Sequence, residues 1–160
     1  EFTTKPPYGG DPSADTELSR AVVERFIEEV RIGHDLEVLD EIVSPHILIH
    51  PTAMPCEASY YGIDGVRGWL GEAWNAFPDL TIFEHSSIAQ GDIVAARWTA
   101  RGTSQGGFLM LPPTGEMVEY TGVSMYRIEG GKIAEIWETR NTLGIMRQLN
   151  PEVGGGNHGH

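Results

Sequence analysis

An α+β fold, with helices covering one face of a curved antiparallel sheet, is predicted by three features of the sequence. Residues 16–77 place apolar side chains at helical spacing, whereas residues 80–141 change to period-two or continuous runs of β-forming residues. Gly91-Asp92 and Gly130-Gly131 lie between neighbouring runs, and such pairs favour tight antiparallel hairpins. Helices that precede a block of strands are typical of α+β proteins.

Capping and helix-breaking residues divide the first part of the chain into three helices. In each one a capping side chain precedes the apolar repeat, and glycine or proline follows it. The predicted caps are Asp15 or Thr16, Asp35 and Asp64, and the predicted stops are Gly33, Pro45 and Pro78.

Five strands and a final helix complete the predicted domain. A short apolar strand, His46–His50, lies between the second and third helices. The longer strands are Leu80–Ala89, Ile93–Thr103, Glu116–Glu129 and Lys132–Asn141, and Thr142 begins the last helix. The other face of such a sheet can be solvated or can pack against a second copy, and Trp98 with the β-branched strands favours a homodimer.

Length and charge limit the class of protein. A chain of 160 residues is most simply one domain with a core and room for an internal pocket. The formal net charge of −12 disfavours nucleic acid and anionic membrane as partners, because phosphate groups need a basic surface. No apolar run reaches the ~18 residues that indicate a membrane span, and we expect a cytoplasmic protein.

The two ends of the chain differ in composition from the middle. Residues 1–15 and 151–160 are rich in small and helix-breaking residues, which predicts a flexible N-terminal arm and a flexible C-terminal tail. The domain itself is expected at 16–150. His158 and His160 lie on a glycine-rich segment and form no defined metal site.

Several kinds of site are absent from the sequence. The single cysteine, Cys56, excludes an internal disulfide and is predicted to be a loop residue near the surface. A nucleophilic role for Cys56 would require a base nearby, and His50 is the close candidate. The chain has no P-loop, no dinucleotide-binding glycine motif, no Gly-x-Ser-x-Gly and no paired metal ligands. We therefore expect no cofactor and no metal.

Three segments carry a resemblance to a known family. Ala76–Leu80, Arg101–Thr103 and Gly131–Leu149 resemble the SnoaL-like polyketide cyclases, and the resemblance extends over residues 17–150. It implies a cone-shaped α+β domain with an internal apolar pocket, a fold shared with scytalone dehydratase and limonene epoxide hydrolase. It also implies acid–base catalysis on a hydrophobic small molecule, and a homodimer formed through the outer face of the sheet.

The resemblance gives Asn141 special interest, because this position in the family usually carries the catalytic aspartate. An amide there can donate a hydrogen bond to an enolate or carbonyl oxygen, or hold a water, but it does not transfer protons. Alternatively, Asn141 caps the helix that begins at Thr142. The sequence leaves both interpretations open.

Strand alternation groups further candidates by face. The sets are Glu135, Trp137, Thr139 and Asn141 on one strand and Arg97, Thr99 and Arg101 on another. The resemblance implies that the face with Asn141 looks into the cone, and that Arg97 and Thr99 do too. In the limonene-epoxide-hydrolase branch an arginine lies between two carboxylates. The equivalent carboxylate positions are Thr99 and Asn141 here, so epoxide hydrolysis by that route is not expected.

His50 is the candidate proton carrier. An imidazole titrates near pH ~6.5, and His50 ends the first strand, where family members commonly place a polar pocket residue. The alternative is a histidine that hydrogen-bonds to backbone in a proline-rich loop. Arg97 and Glu135 would pair if both faced inward, since a lone buried charge is costly. The predicted substrate-binding residues are Thr99, Val123, Met125, Glu135, Trp137, Thr139, Trp69 and Trp74.

Together these features predict a cofactor-independent cyclase of secondary metabolism that closes a ring within a polyketide-like substrate. In this hypothesis His50 transfers the proton, Asn141 stabilises developing oxygen charge and Arg97 polarises the substrate. The alternatives are a dehydratase, isomerase or epoxide-opening cyclase on the same scaffold, or a non-catalytic small-molecule-binding protein.

Overall fold

A six-stranded, curved and open sheet with helices packed on one face is the framework of the domain. The computed structural model describes residues 10–51 and 59–152. The helices are α1 (Thr16–Arg25), its π-helical continuation (Phe26–Ile32), α2 (Leu39–Ile42), α3 (Gly62–Ala76) and α4 (Thr142–Leu149). The strands are β1 (Val43–Pro51), β2 (Tyr60–Tyr61), β3 (Thr81–Gln90), β4 (Ile93–Thr103), β5 (Met117–Glu129) and β6 (Lys132–Arg140). The predicted α+β class is confirmed.

The strand order is β2-β1-β6-β5-β4-β3. Strands β3 to β6 pair antiparallel in sequence order, as the two glycine-containing turns predict. The β1–β6 pair is parallel, with His50 opposite Trp137, and this differs from the fully antiparallel sheet that we predicted. A hairpin turn fixes antiparallel pairing, whereas β1 and β6 are connected through most of the domain, so no local signal sets their direction.

The first helix keeps its predicted limits but changes its hydrogen bonding midway. The Asp15 carboxylate accepts from the Leu18 N–H at 3.1 Å, as expected of a helix cap. After Arg25 the backbone widens into the π-helical segment, which ends at Gly33. The second helix is shorter than predicted, because β1 begins before Pro45 rather than after it.

Two apolar clusters fill the space between the helices and the sheet. The larger cluster joins the first helix and its continuation to α3 and β1 through residues such as Phe26 and Ile49. The smaller cluster joins the end of α3 to β4, β5 and α4 through Phe77, Trp98 and Ile145. The region where these clusters meet contains the buried polar groups described below.

Alternating burial along the central strands identifies the inner face of the sheet. On β4 the buried residues include Ala96, Trp98 and Ala100, and Arg97 between them is exposed. The predicted inward orientation is therefore wrong for Arg97, Thr99, Val123, Met125, Glu135, Trp137 and Thr139, which lie on the outer face. Strand alternation correctly predicted which of these residues share a face of each strand. The apolar residues between them pack under the helices instead, because burial favours apolar surface and penalises unpaired charge.

Some sequence predictions concern residues outside the described part of the chain. These are the surface position of Cys56, the flexibility of residues 1–9 and 153–160, and the absence of a metal site at His158 and His160. Across residues 10–51 and 59–152, no helix is both long and apolar enough to cross a membrane.

Gly122 allows the largest inner-face side chain to pack. It is the direct cross-strand neighbour of Trp98, which is 3% exposed and therefore lies inside rather than on the outer face that we predicted to be apolar. A Cβ atom on Gly122 would overlap the Trp98 indole ring and lie 2.8 Å from the Thr139 carbonyl oxygen.

We expect Gly122→Ala to lower the free energy of unfolding by about 1–3 kcal/mol, because overpacking forces the neighbours to move. Gly68→Ala on α3 is the matched control, since its added methyl group meets nothing within 4 Å. The control should stabilise the protein by about 0.5–1 kcal/mol through helix propensity. Urea denaturation measures both, and equal stabilities would contradict the packing described here.

Candidate active site

A small cavity lies between α3, the π-helical segment and the inner face of the sheet. Its volume is about 20 Å³, which is enough for roughly one water molecule. The lining residues are Arg31, Trp69, Leu70, Ala73, Trp74, Leu80, Ile82, Trp98, Tyr120, Glu138 and Arg140. Three tryptophans thus occupy much of the interior, and the charged lining residues are two arginines and one glutamate.

An ion pair between Arg31 and Glu138 is the centre of this lining. Arg31 Nη1 lies 2.7 Å from Glu138 Oε1, and both side chains are only 7% exposed. The Arg31 guanidinium carbon lies 5.4 Å from the ring centre of Trp69 and 5.1 Å from that of Trp98. Cation–π attraction to both rings adds to the ion pair in a region that water does not screen.

The π-helical segment carries Arg31 on its buried side. Its buried residues are two successive pairs, Phe26 with Ile27 and Val30 with Arg31. Residues four positions apart lie on one face of a helix, so Val30 and Arg31 lie on the same buried side as Phe26 and Ile27. The Gly33 N–H donates to the Glu28 carbonyl at 2.9 Å, which is the five-residue spacing of a π-helix.

Ser124 connects the ion pair to the sheet. Its hydroxyl accepts from Arg31 Nη1 at 3.1 Å and from Trp98 Nε1 at 2.9 Å, and it donates to Glu138 Oε1 at 2.7 Å. A hydroxyl has one donor and two acceptor sites, so every site of Ser124 is used. Arg31 Nη1 also donates to the Tyr126 hydroxyl at 3.2 Å. The network therefore holds the carboxylate and the guanidinium in one arrangement.

Burial sets the protonation states of the aromatic and cationic groups. It raises the pKa of Tyr120 to about 12, and the Glu138 charge acts in the same direction. Burial also raises the pKa of Tyr126. For Arg31, burial acts to lower the pKa, but Glu138 and Tyr126 together outweigh burial and the pKa is raised. At neutral pH both phenols can therefore donate hydrogen bonds, and Arg31 stays charged.

A wider cleft, of about 310 Å³, adjoins the cavity. Its lining residues are Trp69, Glu72, Ala73, Asn75, Gly107, Phe108, Leu109 and Arg140. Trp69, Ala73 and Arg140 line both spaces, so the cleft leads towards the cavity. The Arg140 guanidinium carbon lies 5.1 Å from the centre of the Phe108 ring, which places an aromatic group of the cleft against this cation.

The connection between β4 and β5 forms one wall of the cleft. Phe108 and Leu111 exchange backbone hydrogen bonds of 3.0 and 2.9 Å around a tight turn. The central residues, Leu109 and Met110, have φ angles of 50° and 64°, in the left-handed region that glycine or asparagine usually occupies in such turns. Met110 is fully exposed at the tip.

Two of the segments that carry the family resemblance meet at one corner of the domain. The Asp79 carboxylate accepts from the Thr103 N–H at 2.6 Å and from the Thr103 hydroxyl at 2.7 Å, and these bonds lower the pKa of Asp79. A Cβ atom at Gly102 would lie 2.7 Å from the Phe77 Cβ. These residues therefore serve to hold the end of α3 against β4.

Asn141 caps α4 and does not line the cavity. Its Oδ1 accepts from the Gly144 N–H at 2.9 Å, and the residue is exposed. The structure therefore supports the capping interpretation. Strand β6 ends at Arg140, so the alternation that placed Asn141 with the preceding residues does not extend to it.

His50 lies on the outer face of the sheet. Its Nε2 is 2.6 Å from Glu135 Oε2, and its ring stacks on Trp137 with 5.7 Å between centres. Glu135 also pairs with Arg127 at 3.2 Å. The pairing that we predicted between Glu135 and Arg97 is thus replaced by contacts with His50 and Arg127.

The cavity contains two of the predicted site residues, Trp69 and Trp74. The sequence analysis did not select the polar residues Arg31, Tyr120, Ser124 and Glu138 for the site. A signal for the inner face was present, because Ala96, Trp98 and Ala100 form an unbroken apolar face on β4. Among the described residues, no group of three or more His, Cys, Asp or Glu side chains could hold a metal ion.

Comparison with known proteins identifies the family. The model of the family described as SnoaL-like polyketide cyclase matches residues 21–149. The chain belongs to this family. A search of curated proteins gives no match.

Several solved structures share the fold. One from Jannaschia sp. CCS1, itself assigned to the SnoaL-like polyketide cyclases, is 22% identical with a TM-score of 0.77, covering 88% of this chain and 97% of that one. IdmH from Streptomyces antibioticus, a suggested polyketide cyclase, is 29% identical with a TM-score of 0.70, covering 82% and 97%. AclR from Streptomyces galilaeus, a suggested hydroxylase, is 26% identical with a TM-score of 0.72, covering 86% and 83%.

We expect Ser124→Ala to lower the free energy of unfolding by about 1–3 kcal/mol, because it removes the buried hydroxyl with which Arg31, Trp98 and Glu138 form hydrogen bonds. Ser86→Ala, the same chemical change at an exposed position on β3, should change stability by less than about 0.5 kcal/mol. Urea denaturation followed by tryptophan fluorescence measures both. A Ser124→Ala protein as stable as the control would contradict the network.

Proposed function

We propose that this protein is a cofactor-independent cyclase that closes a ring within a polyketide-like substrate by acid–base catalysis. The observation that carries the proposal is Glu138, the one carboxylate in the described lining of the cavity, which lies beside Arg31 and Tyr120. Membership of the SnoaL-like family supports it, as does the likeness to IdmH, a suggested polyketide cyclase. In this proposal Glu138, and not His50 as the sequence predicted, transfers the proton.

The proposed reaction returns the proton that it takes. Glu138 removes a proton from the carbon next to a carbonyl group, and the electron pair of the C–H bond forms an enolate. The enolate carbon then forms a C–C bond to a second carbonyl of the same molecule, whose oxygen becomes an alkoxide. The alkoxide takes the proton from Glu138, so the reaction needs no external acid, base or redox partner.

Tyr120 and Arg31 stabilise the oxygen charge in this scheme. Tyr120 is protonated at neutral pH and donates a hydrogen bond to the developing enolate oxygen. The fixed Arg31 cation acts on the same charge across a short, water-poor distance. Donors and charges held in place before the reaction stabilise a transition state far more in such a region than in water.

The sizes of the two spaces suggest how a substrate lies. The cavity has a volume of about 20 Å³ and admits only the reacting end of a molecule, whereas the cleft of about 310 Å³ holds its body. Trp69 borders both and positions the substrate along the path between them. Trp74 supports the cavity end of this path.

A non-catalytic binding protein is the second candidate, and one observation favours it. Glu138 Oε1 is engaged by Arg31 and by Ser124, each at 2.7 Å. A carboxylate held in this way can serve to keep the interior charges paired rather than to move a proton. Activity of variants at Glu138 separates the two candidates.

Replacing Glu138 by Gln removes the proposed base and keeps the shape of the side chain. We expect the exchange of α-hydrogens of aryl ketones in D₂O, followed by NMR, to slow by a factor of about 10²–10⁴. Glu24→Gln, at an exposed position on α1, is the matched control and should exchange at the wild-type rate.

A second variant guards against a folding defect, because Glu138→Gln leaves Arg31 without its counter-ion. Tyr120→Phe keeps the ion pair and should slow exchange by about tenfold or more. Circular dichroism checks the fold of each variant. Wild-type exchange rates in folded Glu138→Gln protein would exclude Glu138 as the base. Saturable ligand binding without any exchange would favour the binding protein.

We also propose that two copies of the chain associate through the outer face of the sheet. Exposed apolar residues on this face include Phe83, Ile88 and Val123, with exposed fractions of 68%, 75% and 46%. Salt-bridged charges of both signs, such as Arg101 with Glu119, lie among them. A face of this composition is suited to contact an identical face related by a two-fold axis.

Val123→Glu places a charge near the middle of this face, and we expect it to convert a dimer into a monomer because the added carboxylate would lose its hydration in the contact. Leu18→Glu, at a 51% exposed position on α1, should leave the dimer intact. Size-exclusion chromatography with light scattering measures the molar mass. A monomeric wild type, or a dimeric Val123→Glu protein, would refute this association.

A further inference from the structure

A serine, a histidine and a glutamate form a hydrogen-bonded row on the outer face of the sheet. The Ser59 hydroxyl lies 3.3 Å from His50 Nδ1, and His50 Nε2 lies 2.6 Å from Glu135 Oε2. The two ring nitrogens of the imidazole thus contact different partners, a hydroxyl on one side and a carboxylate on the other. The proposed cyclase does not use this row, because its reacting groups line the inner cavity.

Strand pairing explains why the three side chains meet. β1 and β2 are antiparallel, and continuing their register by one residue places Ser59 opposite His50. Directly opposed side chains of antiparallel strands extend to the same face. On the other side of β1, the parallel strand β6 places Trp137 opposite His50. Glu135 precedes Trp137 by two residues and therefore lies on the same face of β6.

Arg127, Glu135 and Trp137 hold the imidazole in position. The Arg127 guanidinium pairs with Glu135 Oε1 at 3.2 Å, while Glu135 Oε2 contacts His50. The His50 ring stacks on Trp137 with 5.7 Å between centres. A carboxylate beside Nε2 favours the tautomer that carries its proton on Nε2, so Nδ1 can accept the proton of the Ser59 hydroxyl. Nucleophile, base and orienting carboxylate have this same relation in serine hydrolases.

We propose that Ser59, His50 and Glu135 form a catalytic site, separate from the cavity, that hydrolyses small neutral esters through an acyl-serine intermediate. Ser59 Oγ attacks the ester carbonyl carbon while His50 Nδ1 takes the hydroxyl proton. The ester C–O bond then breaks, and the alcohol leaves with the proton from His50. Water attacks the acyl carbon in the same way, giving a proton to His50, and Ser59 leaves and regains that proton.

The surroundings of the row define the class of ester. Ser59 is exposed, so the site is an open surface that suits small molecules. Leu48 lies two residues before His50 on the same face and is 38% exposed, so it offers an apolar contact beside Trp137. The formal net charge of −12 and the Glu135 carboxylate disfavour the approach of anions. Neutral esters with small apolar or aromatic groups therefore fit this site best.

A purely structural role would give a different result. An ion pair between protonated His50 and Glu135 would join β1 to β6 without any part for Ser59. Because Ser59 is exposed, Ser59→Ala keeps the fold and removes only the hydroxyl. Circular dichroism checks the fold of this variant and of each variant below.

Labelling of the full chain with diisopropyl fluorophosphate tests the nucleophile. We expect a single phosphoryl adduct, located at Ser59 by mass spectrometry of peptides and lost in both Ser59→Ala and His50→Gln. The matched controls, Ser86→Ala and His85→Gln, remove an exposed serine and an exposed histidine of β3 and should be labelled like the wild type. No adduct, an adduct on another residue, or labelling of Ser59 that persists in folded His50→Gln protein would overturn the proposal.

Hydrolysis of 4-nitrophenyl acetate tests turnover. The rate should exceed that of free imidazole at the same concentration. It should fall by about tenfold or more in Ser59→Ala and Glu135→Gln, and stay within about twofold of wild type in Ser86→Ala and His85→Gln. The anionic half-ester mono-4-nitrophenyl glutarate should gain less over imidazole than the neutral acetate does. A wild-type rate in Ser59→Ala would assign the hydrolysis to histidine alone and refute the site, as would labelling of Ser59 without turnover.

Discussion

The buried ion pair between Arg31 and Glu138 is the interaction on which the interior of this protein depends. Two charges removed from water are stable only when attraction and hydrogen bonds replace their lost hydration. Ser124 supplies hydrogen bonds to both partners, and the rings of Trp69 and Trp98 flank the cation. Because Arg31 lies on the N-terminal helical region and Glu138 on the last strand, the pair also ties the two ends of the domain together.

The same arrangement gives the site its chemical character. Tight packing of Trp98 over Gly122 leaves little room for water beside the ion pair. In such a region electrostatic interactions are several times stronger than at the surface. The polar residues can therefore act on a bound molecule without the screening and rearrangement that solvent would impose. In the proposed mechanism, the described residues that surround them supply shape, and the ion pair with its neighbouring phenols supplies the chemistry.

The sequence was sufficient to predict most helices and strands, but not to predict which face of the sheet is buried. Caps and turns such as Asp15, Gly33 and Gly130 act within a few residues, so the limits of most helices and strands could be predicted. Which face of a strand the helices cover is a property of the whole fold. The family resemblance placed Asn141 inside the cone. Strand alternation, counted back from Asn141, then predicted that Glu135, Trp137 and Thr139 face inward as well. The strand ends one residue earlier, and Asn141 caps the next helix.

The site was predicted where its signal was local and missed where it was not. Trp69 and Trp74 lie at helical spacing on α3, which directly indicates a buried helix face. Arg31 follows Ile27 by four residues and so lies on the buried side of its helix, but no local signal shows that Glu138 lies beside it to pair with its charge. Glu138 follows the buried Ile136 on its strand face, so its position was readable only once the inner face was known.

The left-handed turn at Leu109 and Met110 has a consequence for how this protein could diversify. It stands at the rim of the cleft, on a connection whose residues contribute nothing to the hydrogen bonds of Ser124. Substitutions along that rim would change the shape of the cleft entrance and leave the charged interior unchanged. If the proposed function holds, selectivity and reactivity reside in separate parts of the chain, and a lineage can revise the first while inheriting the second.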